Sequence, residues 1–241
     1  MFPSRRIITS GGDVFRDEWS LAFDGTNDHI ATSADSSIAD GTYVFWFKSS
    51  TTGENKGILG HGAQAKGAFH MHHASSKPLL YMDNAFHRFW NDTSAQDDGQ
   101  WHHWAVTFDV SDITACNLYI DGVIQTVQAT TSSGTAPTGS WDAGLTIGAN
   151  KASGGNFCEG SVSDFAWYSG LLSINEIQIL YNGRESYNHM EGPVARKLSG
   201  WWRMGDGIEG GSGTTIYDTS SNSNNGTMTN MDAVDFEGDT P

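Results

Sequence analysis

Trp101-His102-His103-Trp104-Ala105-Val106-Thr107-Phe108, followed by Asn117-Leu118-Tyr119-Ile120-Asp121-Gly122-Val123-Ile124, is the stretch on which the fold turns. In the first run His102, Trp104, Val106 and Phe108 share one face of an extended chain. His103, Ala105, Thr107 and Asp109 share the other. This period of two, with bulky apolar groups on one side, is what a strand laid on a core shows. In the second run Asp121-Gly122 stands between β-branched residues. That suits a type I′ turn, whose two central residues both need positive φ. The two runs together predict antiparallel β-structure.

The pattern continues outward in both directions. Residues 20–23 and 29–32 read as short strands around an Asp24-Gly25-Thr26-Asn27 turn, and residues 42–48 are apolar on both faces, as a covered central strand requires. Residues 145–148, 160–168 and 201–204 supply further strands. One segment reads as a helix. Ser173 is placed as its N-cap with Glu176 closing a capping box, and Leu172 and Ile177 form a hydrophobic staple. Gly183 stands where a left-handed residue ends a helix. Ile174, Ile177 and Tyr181 then make one apolar stripe, which predicts a short helix on a sheet edge or flank.

Composition agrees with an all-β domain. Of 241 residues 12% are aromatic and 29 are Gly, which supplies a core and many turns, and the length suits one large β-domain. Thirteen basic against 28 acidic residues leave a net charge of -15, which repels phosphate backbones and argues against a nucleic-acid partner. Met1-Phe2-Pro3-Ser4-Arg5-Arg6-Ile7-Ile8 lacks the run of roughly 7–15 apolar residues of a secretory leader. No stretch approaches the ~20 apolar residues of a membrane span. The expectation is a chain without signal peptide or membrane insertion. Cys116 and Cys158 read as buried thiols rather than a disulfide framework.

Four blocks resemble the concanavalin A-like superfamily, in its laminin G-like and pentraxin-like branch. They are Ser20-Leu21-Ala22-Phe23-Asp24-Gly25-Thr26-Asn27-Asp28; residues 101–108 with Leu118-Tyr119-Ile120-Asp121-Gly122; Leu145-Thr146-Ile147-Gly148; and Gly160-Ser161-Val162-Ser163-Asp164-Phe165-Ala166-Trp167-Tyr168 with the capped helix. The resemblance implies a two-sheet antiparallel jelly-roll sandwich with one short helix. The chain then divides into an N-terminal arm (1–18), a laminin G-like sandwich (19–183), a connector (184–199), and a C-terminal strand and Asn/Ser-rich loop (200–241) completing the same sandwich. In many members of that family a Trp strand, an acidic Gly-Ser-Gly-Thr-Thr turn and an Asp-Ser-Ser-x-Asn-x-Asn-Gly loop come before the Phe-Asp-Gly strand. Here residues 201–206, 211–215 and 218–226 place them last. One reading is circular permutation, since the ends of a domain often lie close together. The other is a truncated second repeat, suggested by Val234-Asp235-Phe236-Glu237-Gly238 against Leu21-Ala22-Phe23-Asp24-Gly25, although ~40 residues bury little core alone.

Candidate sites follow from residue chemistry. Hydrolases of the superfamily carry Glu-x-Asp-x-x-Glu on one strand, and retaining glycosidases need carboxylates roughly 5–5.5 Å apart. Glu159, Glu176, Glu185, Glu191 and Glu209 each stand alone, which predicts a protein that is not an enzyme. His61, His70, His72, His73 and His87 lack the ligand spacing of a structural zinc site and read as surface or hydrogen-bonded histidines. Asp206, Asp218, Asn222 and Asn224 offer the oxygens that a structural calcium ion selects, and the resemblance implies such an ion where this block meets the penultimate strand. In that strand, however, the family's Ile-Asp is Val162-Ser163, with the acid one place on at Asp164, and a one-residue slip reverses the face. The same four residues also read as Asx-turns that cap their own backbone.

Phe86, His87, Trp90, Asn91 and Asp92 combine rings that stack on sugars with groups that bond hydroxyls; the competing reading gives the rings to the core. Residues 201–231 resemble structural proteins of marine tailed phages. The expectation is therefore a non-enzymatic virion protein, made in the host cytoplasm and displayed on head or tail. It would partner itself as a homo-oligomer, or other virion proteins, and contact host-surface glycans. A secreted calcium-dependent lectin is the alternative, and a glycoside hydrolase of the same fold the third reading.

Overall fold

The alternation along residues 101–108 decides which side of each strand faces inward, and the rest of the chain is laid against that choice. The computed structural model describes residues 15–34, 40–51, 56–61, 66–73, 77–83, 86–91, 93–132, 144–151 and 155–241. The chain begins with β1 (Ser20–Asp24), β2 (His29–Thr32), β3 (Asp40–Lys48), β4 (Lys56–His61), β5 (Lys66–His73) and β6 (Lys77–Asp83). It continues with β7 (Phe86–Trp90), β8 (Trp101–Asp109), β9 (Leu118–Ile120), β10 (Val123–Ile124), β11 (Val127–Ser132) and β12 (Leu145–Ile147). The last elements are β13 (Glu159–Ser169), α1 (Ile174–Tyr181), β14 (Leu198–Trp202), β15 (Thr215–Ile216), β16 (Gly226–Thr229) and β17 (Phe236–Glu237).

Among the described residues these strands form two sheets. The first runs β10-β9-β8-β3-β13-β1-β17, with β14 also paired to β13; the second runs β11-β7-β6-β5-β4-β12-β2-β16-β15. Neighbouring strands are antiparallel, as in the long β3–β8 and β3–β13 ladders. This is the expected antiparallel sandwich. Trp104, Val106 and Phe108 of β8 turn inward with Tyr43, Phe45 and Phe47 of β3, and meet Leu59, Phe69, Leu80 and Trp90 of the second sheet. The Asp121-Gly122 turn between β9 and β10 has φ of +49° and +73°, as a type I′ hairpin needs.

The first sheet has a second apolar face. Val44, Ala105, Tyr119, Ala166 and Tyr168 point away from the core and are covered by Leu172, Ile177, Leu180, Val194 and Trp201. This is why β3 is apolar on both sides. Ser173 accepts from the Glu176 backbone and Glu176 from that of Ser173, closing the capping box, and Asn182 ends α1 in the left-handed region. The buried stripe of α1 is Ile177 and Leu180, whereas Ile174 is 39% exposed. Tyr181 reaches Trp46 and His103 instead. Within residues 184–199, His189 and Val194 are buried on this face.

Residues 198–241 contribute to both sheets. β14 pairs with β13 (Phe165 opposite Trp202), β16 with β2, and β17 with β1. β1 and β14 therefore share one edge of β13, and Asp206 stitches them. Its carboxylate accepts from the backbone of Glu18 (2.9 and 3.0 Å) and Trp19 (3.1 Å), just before β1. The Arg203 guanidinium lies over the rings of Phe15 and Trp201, 4.7 and 5.4 Å from their centroids, and donates to Asp17. Burial, then the nearby Asp164 and Asp206 carboxylates, push the Asp17 carboxyl up to about 8 against the pull of Arg203.

Two expected outcomes follow. Trp202 is fully buried, so Trp202→Ala should lower the unfolding free energy by about 3–5 kcal/mol in urea titration. Ile124→Ala, on the half-exposed β10 edge, should stay within about 0.5 kcal/mol. Equal effects would separate β14 from the core. The second concerns pH. The folded Asp17 pKa lies above its unfolded 3.8, so the group's stabilising contribution is complete below that value and is lost as pH rises through about 8. The difference in unfolding free energy between the native chain and Asp17→Asn should therefore shift against the native chain between pH ~4 and ~8. A flat difference would contradict the buried, proton-holding Asp17.

Candidate functional site

Strand alternation divides the residues of β7 between two environments. Phe86 and Trp90 point into the sandwich, 6% and 0% exposed, so neither offers a ring face to a sugar. This corrects the grouping of Phe86, His87, Trp90, Asn91 and Asp92 as one surface, because consecutive strand residues face opposite sides. His87 points outward. Asn91 is exposed at the strand end, its N–H donating to the Thr126 carbonyl at 3.0 Å. Asp92 lies outside the described residues.

What the fold sets beside His87 is a different aromatic pair. Tyr81 of β6 stands opposite His87 in register, and Phe89 follows two residues on. The His87 ring stacks with Tyr81 at 6.4 Å and 16°, and meets Phe89 edge-on at 5.6 Å and 84°. All three side chains are half-buried, and Ala129 and Thr131 of β11 flank the row on the other side. The row therefore offers flat apolar area beside ring nitrogen and phenol groups. The i, i+2 spacing of His87 and Phe89 was the available sequence signal; Tyr81 joins them only through strand pairing.

The C-terminal oxygens are engaged locally. The Asp218 carboxylate accepts from the backbone of Trp201 (2.8 Å), Ser220 (2.9 Å) and Asn224 (2.8 Å). Asn222 and Asn224 both turn their amide nitrogens to the Ser199 carbonyl, at 3.0 and 3.2 Å. Asp206 faces the backbone before β1 instead. Backbone N–H groups occupy the two carboxylates and the Ser199 carbonyl takes both amides, so the four do not converge their oxygens and do not fit a calcium site as a set. Among the described residues no three or more His, Cys, Asp or Glu are grouped to hold a metal.

Asp164 is turned to the outer face of the first sheet; alternation alone would set it on the core side with Val162, and a bulge in β13 at this point reverses it. It accepts from the Trp201 indole and bonds His189 Nε2 at 2.9 Å, and His189 Nδ1 bonds the Tyr168 hydroxyl. A chain of Asp, His and Tyr resembles a proton relay in its connectivity, but the His189 and Asp164 side chains are 2% and 1% exposed, sealed from any substrate. His103, packed between Trp46 and Tyr181, is pushed down to about 3 by burial and then by His189. His61 sits apart in the core on the Tyr43 hydroxyl. The glutamates are likewise dispersed: Glu159 pairs with Lys56 at 2.7 Å, Glu176 caps α1, and Glu209 accepts from the Tyr217 backbone.

A laminin G family model of the concanavalin A-like lectin/glucanases superfamily matches residues 24–178. Among solved structures, a candidate carbohydrate-binding protein from Bacteroides ovatus superposes with a TM-score of 0.65 at 14% identity, over 92% of this chain. The chain spans 60% of that protein's length. The heptameric SAP-like pentraxin of Limulus polyphemus gives a TM-score of 0.46 at 14% identity, over 70% of this chain and 83% of its own. Two domains of the mouse laminin alpha1 chain give 0.44 at 15% identity, over 63% and 41%. A search of curated protein sequences finds no match. At these identities the structural likenesses speak for the fold, whereas the family match covers more than half of the chain. The chain therefore belongs to the concanavalin A-like lectin/glucanases superfamily.

Proposed function

We propose that this protein is a non-catalytic glycan-binding module. The observation that carries the reading is the half-buried Tyr81–His87–Phe89 row on the outer face of the second sheet. Aromatic faces stack on the apolar faces of sugar rings, and the adjacent imidazole and phenol exchange hydrogen bonds with hydroxyls. The likeness to a candidate carbohydrate-binding protein supports the same reading. A paired-carboxylate mechanism finds no support in Glu159, Glu176 and Glu209, each tied to its own local partner.

The setting we propose is the surface of a tailed-phage virion, where the module meets host glycans and assembles with copies of itself or with other virion proteins. The resemblance of residues 201–231 to phage structural proteins supports the setting. The exposed β10 edge, where Val123 and Ile124 are 61% and 51% exposed, supports assembly, since bare apolar edges recruit further strands.

On arrays of bacterial and algal polysaccharides the native chain should bind at least one glycan and release no reducing sugar. Tyr81→Ala and His87→Ala should each weaken that binding about tenfold, the worth of one lost stacking partner. Unchanged binding in both variants would remove the row from the site, and turnover abolished by a single Glu→Gln change would restore a hydrolase. For the setting, mass spectrometry of purified particles should find the chain as a stoichiometric component; its presence only in the secreted soluble fraction would favour the free lectin.

A further inference from the structure

Trp101 begins β8 at the rim of the first sheet and keeps part of its indole exposed, while Trp46, Trp90, Trp104, Trp167, Trp201 and Trp202 are at most 3% exposed. Two hollows flank it. One, of about 400 Å³, lies between the end of β3 and the start of β13, and Lys48, Ser49, Thr51, Glu159 and Ser161 line it. The other, of about 190 Å³, brings Gln100, Arg184 and Thr240 beside the Trp101 ring and Trp46. Asp239 joins them: it accepts from the Trp101 indole N–H at 3.4 Å and pairs with Lys48, whose ammonium lies 5.4 Å from the indole centroid.

The chemistry of this rim is specific in what it suits. Lys48 is balanced by Asp239 and Lys56 by Glu159, so the hollow holds no surplus positive charge for a phosphate. It holds no cage of convergent oxygens either; each carboxylate already has a cationic partner. What remains is a mixture of donors and acceptors around an aromatic face: hydroxyls, carboxylates, an amide and a guanidinium. A sugar hydroxyl both donates and accepts, and its ring presents an apolar face, so a polyhydroxylated ligand satisfies such a mixture where an apolar or an ionic one does not.

The floor is also fixed before any ligand arrives. Gly99 N–H donates to the Ser49 carbonyl at 3.0 Å, Ser49 Oγ to the Glu159 carbonyl at 3.2 Å, and Ser161 Oγ to Glu237 at 2.8 Å. Gly160 adopts a φ of +136°, and a Cβ there would stand 2.5 Å from the Lys48 carbonyl, so backbone lies directly on backbone. Asp239 is held by Ser20 Oγ on its carbonyl at 2.7 Å. A site whose groups are already ordered loses less entropy on binding.

We propose that this rim, centred on Trp101, is a second saccharide-binding site, taking a neutral sugar chain across both hollows and acting independently of the Tyr81–His87–Phe89 row. The test uses the full chain labelled with ¹⁵N-Trp, the Trp101 indole resonance being assigned through Trp101→Phe. Laminarihexaose, xylohexaose and chitohexaose are titrated into the native chain and into the Tyr81→Ala/His87→Ala double variant. At least one hexaose should shift the Trp101 indole signal in both proteins with the same saturation curve, and Asp239→Ala should weaken that response about tenfold while leaving the melting temperature near native. A Trp101 signal unmoved by all three sugars would overturn the proposal. So would a shift that vanishes in the double variant, or one that Asp239→Ala leaves unchanged. A rim response in the double variant equal to the native one, with no second binding event in the native chain, would uphold the rim and remove the row.

Discussion

Asp164 stands in the middle of β13 with a φ of +53°, where a strand residue would be extended. A non-glycine residue held there costs of order 1–3 kcal/mol. The register of β13 against β3 shifts at this point, between Ser163 and Ala166. The bulge turns the carboxylate outward to the Trp201 indole and to His189. Two elements distant in sequence, β14 and the segment before it, are thereby fastened to the central strand by one buried group. The same break marks where the partner edge of β13 changes from β1, at residues 159–162, to β14, at residues 165–168. Asp206 closes the seam from the other side by capping the backbone that enters β1. The buried charges at the seam are tolerable because each has hydrogen-bond partners, and removing one partner would leave an uncompensated charge in the interior.

This layer also decides where a ligand can reach. The outer face of the first sheet is occupied by α1 and the segment around His189 and Val194, so its aromatic groups are packing groups. Among the described residues, partly exposed rings stand on the second sheet at Tyr81, His87 and Phe89 and at the rim at Trp101, besides single ones such as Phe157 and Tyr217. The two proposed binding places, carried by one sandwich, would let one extended polymer engage both. The second contact then forms at a high effective concentration without further affinity at either place.

How much of this was legible depended on how local the cause was. The β8 alternation, the Asp121-Gly122 hairpin and the Ser173–Glu176 capping box are set by residues within a few positions of one another, and each was readable from the chain. The fate of Asp164 was not readable, because alternation alone would set it on the core side with Val162, and the bulge that turns it outward arises where β13 meets β3 and β14. Phe86 and Trp90 misled because five residues drawn from positions 86–92 were taken as one surface, although a strand sends neighbours to opposite sides. Ile174 was taken into the buried stripe of α1, but Leu180 lies there, since the angle at which a helix meets a sheet is set by tertiary packing. The Asn222 and Asn224 side chains offered oxygen by composition, yet their amide nitrogens are what the Ser199 carbonyl engages. The rim was invisible because Lys48 and Asp239 meet across 191 positions.

The placement of the chain ends has a mechanical consequence. β17 lies antiparallel to β1, with Ser20 opposite Glu237 and Leu21 opposite Phe236, and Thr240 Oγ donates to the Asp17 carbonyl at 3.0 Å. Residues 17 and 240 thus lie at the same corner of the sandwich. Tension drawn between them would load the β1–β17 ladder from one end and part its bonds in turn, as in peeling, instead of shearing them together. The two-residue β17 would yield first, as the least stable unit of a fold opens before the whole. With it would go Asp239, and with Asp239 the wall beside Trp101. Tension between residues 17 and 240 and the shape of the rim are in this way coupled through a strand two residues long.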